Sequence, residues 1–136
     1  MTTFDDQAFV AAFRDTTLPT SAFHHRDHVR MAWLYVRECG AADAASRFAA
    51  DLQVFATAKG VPGLYHATIT AAYIALIAER QHDTPADTWD AFADRHPDLL
   101  TWKPGVLDRY YSAERLWSAA ARVQFLLPDR LAASPD

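Results

Sequence analysis

The sequence predicts an all-α fold, a single-domain bundle of about five to six helices. Alanine occurs 27 times and leucine 12 times, against 10 valine and isoleucine residues together. Alanine loses no side-chain entropy in a helix, whereas β-branched side chains do, so this composition favours helices. We find no alternation of apolar and polar residues long enough for a strand. The 136 residues, 51% of them hydrophobic, suit one domain over residues 1–136.

Capping signals and apolar stripes predict where each helix begins and ends. Thr3 and Asp6 fit a capping box ahead of an apolar stripe that ends at Phe13. Gly40 and Gly60 stand where helices commonly end. The remaining helices are expected at residues 23–39, 41–59, 65–81, 85–95 and 113–125. Residues 98–111 are less periodic and predict a loop with a helical turn, and residues 132–136 predict a frayed terminus.

Charge, hydropathy and cysteine content exclude several classes of function. The net charge is -4, which argues against a nucleic-acid surface because such a surface needs clustered Lys and Arg. The longest apolar run, residues 71–78, is too short to span a membrane. Cys39 is the single cysteine, so an internal disulfide and a cysteine-based zinc cage are excluded. Without a signal-peptide pattern at residues 1–20, we expect a cytoplasmic protein.

Two groups of histidines are the most informative residues. His28 lies one helical turn from both His24 and His25, so it can share a face with either of them. His66 follows the turn at residues 61–63 and shares a face with Ile69 and Tyr73, which indicates that it points inward. If the two helix starts meet, three imidazoles converge. Three protein ligands with an open position are typical of a catalytic metal site.

The histidines therefore predict a small-molecule metalloenzyme with a divalent transition metal, namely Zn, Fe or Cu. The metal would activate water, dioxygen or a substrate carbonyl, and its ligands would be His28, His66 and one of His24 and His25. Side chains near the two helix starts and in the loop would serve substrate. The expected catalytic residues are Tyr65, Lys103 and Tyr111, and the expected substrate-binding residues are Thr68 and Thr70.

Alternatives of other classes stay open at this point. A core-facing histidine more often packs and hydrogen bonds than ligates a metal, so a metal-free domain is one alternative, either a histidine acid/base enzyme or a small-ligand binder. A protein-interaction module or homodimer is another, with Trp33, Trp89 and Trp117 marking its surface. A di-iron site is rejected, because Glu79-x-x-His82 has no second motif and the chain has three glutamates.

One pattern also carries a resemblance to other proteins. Phe23-x-His25-x-x-His28, followed by Tyr65-His66-x-Thr68-x-Thr70, resembles a group of small bacterial all-helical proteins of uncharacterised activity. The resemblance implies that His25, rather than His24, pairs with His28 and that His66 belongs with them. It implies no particular substrate or cofactor.

Overall fold

The computed structural model describes residues 5–103 and 105–130, and 71% of these residues are helical. No strand occurs within these residues, so the all-α, single-domain prediction is confirmed. Five of the α-helices have seven residues or more. The α-helices are α1 (Asp6–Arg14), α2 (His25–Cys39), α3 (Ala41–Ala58), α4 (Ala67–Asp83), α5 (Trp89–Arg95), α6 (Pro97–Leu100), α7 (Ala113–Leu116) and α8 (Ala119–Val123), with 3₁₀ turns at Thr20–Ala22, Pro62–Leu64 and Val106–Arg109.

The three longest helices, α2, α3 and α4, form the frame of the domain. Each of them packs against the other two, while α1 covers α2 and α3 and α8 lies against α4. The α2–α3 connection is tight because Gly40 adopts φ +82°, a backbone conformation that other residues rarely accept. This arrangement brings the first turns of α2 and α4 into one region of the bundle.

An aromatic cluster fills the centre of the core between α1, α2 and α3. The ring of Phe13 is fully buried, and its centroid lies 5.2 Å from those of both Phe23 and Phe55. Phe48 and Tyr35 complete the cluster around the same ring. Interlocked aromatic side chains of this kind bury a large apolar area. They therefore fix how α2 and α3 lie on either side of the site described below.

Several predicted helix starts are wrong by a few residues, because local capping decides them. α2 begins at His25 and not at residue 23, since the Asp27 carboxylate accepts a hydrogen bond from the His24 backbone N–H. α4 begins at Ala67, two residues later than expected. α5 begins at Trp89 because Thr88, and not Thr84, caps it through a bond from the Ala91 N–H.

The C-terminal part also differs from the prediction. Residues 113–125 form two short helices in place of one, because Ser118 breaks the helix and caps α8 by accepting a hydrogen bond from the Ala121 N–H. Residues 98–111, expected as a loop with one helical turn, contain the end of α6 and a 3₁₀ turn. Thr3 and residues 132–136, for which a cap and a frayed terminus were predicted, lie outside the described residues.

Two of the tryptophans expected at a partner surface are instead part of the core. Trp33 is fully buried and Trp89 nearly so, and their ring centroids lie 5.9 Å apart. The Trp33 indole N–H donates a hydrogen bond to Gln81. Trp117 is half exposed. Within the described ranges, none of the helices has the length and apolar character that crossing a bilayer requires.

Candidate functional site

A cavity of about 390 Å³ opens between α2, α3, α4 and the C-terminal helices. Its wall is largely apolar and aromatic, with a few polar groups, and its volume falls in the range of small-molecule pockets. The apolar lining residues include Phe23, Val29, Ala32, Phe48, Leu52, Leu64 and Ile69. His25, His28 and His66 all line it, so the first turns of α2 and α4 border the same cavity.

Of the three histidines that line the cavity, His28 is the one whose ring has no hydrogen-bond partner among the described residues. Its ring stacks on Phe23 with the centroids 3.9 Å apart and keeps some exposure on the cavity side. Burial, reinforced by the nearby His25 and His24, lowers the pKa of His28 to about 3. The ring is therefore neutral at pH 7 and presents one N–H donor and one nitrogen acceptor.

His25 uses one ring nitrogen to hold α6. Its Nε2 lies 2.8 Å from the carbonyl oxygen of Leu99, and because a carbonyl only accepts, Nε2 carries the proton. Burial lowers the pKa of His25, and the bond to Leu99 partly offsets that effect. The ring also contacts Tyr73 and Trp102, with centroids 5.3 and 5.0 Å away. His25 thus retains a single ring nitrogen, Nδ1, for another partner.

Both ring nitrogens of His66 are already engaged with the backbone. Nδ1 accepts from the Ile69 N–H at 3.2 Å, which makes His66 the N-cap of α4. Nε2 donates to the Leu116 carbonyl at 2.8 Å, which ties α4 to α7. Burial is the main cause that lowers the pKa of His66. The neutral imidazole is therefore held in one tautomer and has no lone pair left for a metal.

Among the described residues, the potential metal-binding side chains around the cavity do not form a complete donor set. Over residues 5–103 and 105–130, no three His, Cys, Asp or Glu side chains lie close enough together to hold an ion. The engagement of His66 gives a physical reason, because a metal could bind it only after one of its backbone hydrogen bonds broke. The geometry thus brings the predicted ligands to one cavity without arranging them as a coordination shell.

The remaining predicted site residues are divided between the cavity and its surroundings. Thr70 lines the cavity. Thr68 is fully buried outside the lining, where its Oγ1 donates to the Gln124 carbonyl at 3.0 Å. The Tyr111 hydroxyl donates to the Leu126 carbonyl at 2.7 Å, again away from the lining.

Tyr65 and Lys103 also lie outside this lining. Tyr65 is half-buried, and burial raises its pKa. Lys103 lines a second cavity of about 250 Å³, which shares Trp102 and Trp117 with the first. The two tryptophan rings, 6.2 Å apart and nearly perpendicular, stand where the two cavities meet.

Sequence reasoning missed three side chains of the lining. Trp117 was expected at a partner surface, yet its ring packs on His66. Trp102 was not assigned to the site, yet its ring packs on His25. Arg122 was not considered. Its signal in the sequence is weak: it is the single charged residue of the segment Ala119–Val123.

Comparison with known proteins adds no relative. No family model, curated protein or solved structure matches the chain. The similarity to small bacterial helical proteins therefore stays an interpretation of the motif.

Proposed function

We propose that this protein binds a small, largely apolar molecule in the 390 Å³ cavity and does so without a resident metal. The observation that supports this proposal is the unequal use of the three histidines. His66 has both nitrogens bonded to the backbone and His25 has one, while His28 has neither. The neutral imidazole of His28, which has no partner among the described residues, offers a directed hydrogen bond to a ligand in this largely apolar pocket.

Binding fits this arrangement better than acid–base catalysis. A general acid or base works best when its pKa lies near the working pH. Burial holds the pKa of His28 far below that range, and the pKa values of His25 and His66 are also lowered. The histidines would act as fixed hydrogen-bonding groups and would not exchange protons with the ligand.

Matched fragments test the proposal. Phenol and toluene differ by one hydroxyl group, and thermal melting measures whether each stabilises the protein. A ligand at a hundredfold excess over its Kd adds about 2.7 kcal/mol, and each kcal/mol moves the midpoint by roughly 2–8 °C. We expect both fragments to stabilise the wild type, phenol more than toluene. In His28→Phe the preference for phenol should vanish.

A filled cavity provides the control for location. Ala32 is buried in the cavity wall, so Ala32→Leu should abolish stabilisation by both fragments. Ala50 lies on the exposed face of α3, so Ala50→Leu should leave the stabilisation by both fragments unchanged. The proposal would be contradicted if neither fragment stabilised the wild type. It would also be contradicted if the fragments stabilised Ala32→Leu as much as they stabilise the wild type.

Metal addition separates this proposal from the metalloenzyme that the sequence predicts. Chelated protein is melted with and without Zn²⁺, Fe²⁺ or Cu²⁺ at pH 7.5. We expect no stabilisation that depends on the cavity histidines, because His66 has no free lone pair. A rise in midpoint that disappears in a His28→Ala, His66→Ala double variant would instead support the three-histidine metal site.

A further inference from the structure

The charge of the cavity wall is uneven. Among the described residues that line it, Arg122 is the one that is charged at every working pH, and no carboxylate accompanies it. This local charge is opposite in sign to the chain's net charge of -4. A half-buried cation beside an apolar surface is stabilised by a nearby anion, since it has lost part of its hydration.

Arg122 is held in position but is not neutralised. Its Nη2 donates a hydrogen bond to the Gly63 carbonyl at 2.9 Å, which joins α8 to the turn before α4. In the part of the chain that the structure describes, no carboxylate lies within ion-pair distance of it. Three other arginines do have such partners, in the pairs Arg14–Glu38, Arg30–Asp6 and Arg80–Asp98.

The surroundings of Arg122 allow one negative charge and no more. Arg122 lines the same cavity as His66, and its positive charge contributes to the lowered pKa of His66. The three histidines are neutral at pH 7 because burial lowers their pKa values. A doubly charged phosphate would therefore bring one uncompensated charge into an apolar pocket, whereas a carboxylate would be balanced.

We infer that the ligand is a small monocarboxylate with an apolar body, whose carboxylate pairs with Arg122 while the body fills the apolar part of the cavity. This inference rests on the proposed binding function and names the class of ligand for it. Guanidinium and carboxylate groups match in shape, because two N–H groups can donate to the two carboxylate oxygens. The aromatic wall formed by Phe23, Trp102 and Trp117 suits a planar or aliphatic body.

Phenylacetate and phenylacetamide are the matched probes, because they share a ring and differ in charge. Isothermal titration calorimetry at pH 7.5 measures the affinity of each. A hydrogen bond to a charged group contributes at least about 1.5 kcal/mol, so the wild type should bind phenylacetate about tenfold or more tightly than phenylacetamide. Equal affinities would overturn the inference.

Three arginine variants locate the effect. Arg122→Gln should bind the two probes equally, and Arg122→Lys should retain the preference for phenylacetate because it retains the charge. Arg115 also donates to a backbone carbonyl, that of Leu127 at 2.7 Å, but it does not line the cavity. Arg115→Gln is therefore the matched control and should behave like the wild type. An unchanged preference in Arg122→Gln would refute the pairing.

The outcomes distinguish this inference from the proposal beneath it. If phenol and toluene bind in the cavity but phenylacetate binds no better than phenylacetamide, or does not bind, the carboxylate inference is wrong and the binding function stands. If none of the four probes binds, the binding function itself is contradicted. Circular dichroism of each variant verifies that a lost affinity does not arise from a lost fold.

Discussion

Replacing His28 by phenylalanine should make the stability of the protein less dependent on pH. The folded-state pKa of His28 is about 3, well below the ordinary value near 6.5. Below pH 6.5 the unfolded chain takes up a proton that the folded chain does not. The contribution of this group to stability is therefore fully present above pH 6.5 and is lost as the pH falls towards 3.

The size of the effect follows from that difference. Each pH unit below 6.5 lowers the free energy of unfolding by about 1.4 kcal/mol, which gives a loss of about 2 kcal/mol between pH 7 and pH 5. This value is an upper limit, because water entering the cavity stabilises the protonated ring of the folded state. Phenylalanine preserves the stacking on Phe23 and removes the titrating group.

Urea denaturation at pH 7, 6 and 5 measures the effect directly. Lowered pKa values are also found for His25, His66 and His96, so both the wild type and His28→Phe lose some stability in acid. The difference in pH dependence between the two proteins therefore isolates the contribution of His28. His82 is exposed at the end of α4, and His82→Gln should retain the wild-type slope. If His28→Phe and the wild type lose stability in parallel, the reasoning is refuted.

Further substitutions probe the contacts around the cavity. His66→Ala should lower the free energy of unfolding by about 2 kcal/mol, since an N-cap and a buried hydrogen bond are lost; a change below a few tenths would exclude that role. Thr68→Val should cost about 1–2 kcal/mol and speed amide exchange at Leu126, whereas unaltered exchange would contradict the anchoring. The hydrogen bonds from Arg80 lower the pKa of Asp98, so Asp98→Asn should flatten the stability loss below pH 5 in urea titrations; an unchanged profile would argue against it.

The sequence predicts the fold well where a single residue type decides an element boundary. Gly40 separates α2 from α3 as expected, because its positive φ is a property of glycine itself. The C-terminal helices are harder to predict. Ser118 can continue a helix or cap one, and the choice depends on contacts such as that between Trp117 and His66, which join residues far apart in the chain.

The candidate site was predictable in location but not in chemistry. Helical spacing predicts inward positions for His66, for His28 and for one of His24 and His25, because periodicity reports which side chains point inward, and His25, His28 and His66 line one cavity. It does not report which nitrogen atoms are already bonded. The bonds of His66 to Ile69 and Leu116 depend on N-cap geometry and on a carbonyl 50 residues away. Arg122 lies in α8, far along the chain from the three histidines, and local sequence spacing does not indicate that it lines the same cavity.

The attachment of the C-terminal segment has a kinetic consequence. Trp117 and Arg122 close one side of the cavity. The segment that carries them is held to α4 by hydrogen bonds from His66 to the Leu116 carbonyl and between Thr68 and backbone atoms of residues 124 and 126. Segments held in this way commonly open at a lower free energy than the whole domain. We expect residues 112–130 to detach as a unit while α2, α3 and α4 stay folded, so that the opening frequency of this segment would set the rate at which the proposed ligand enters and leaves.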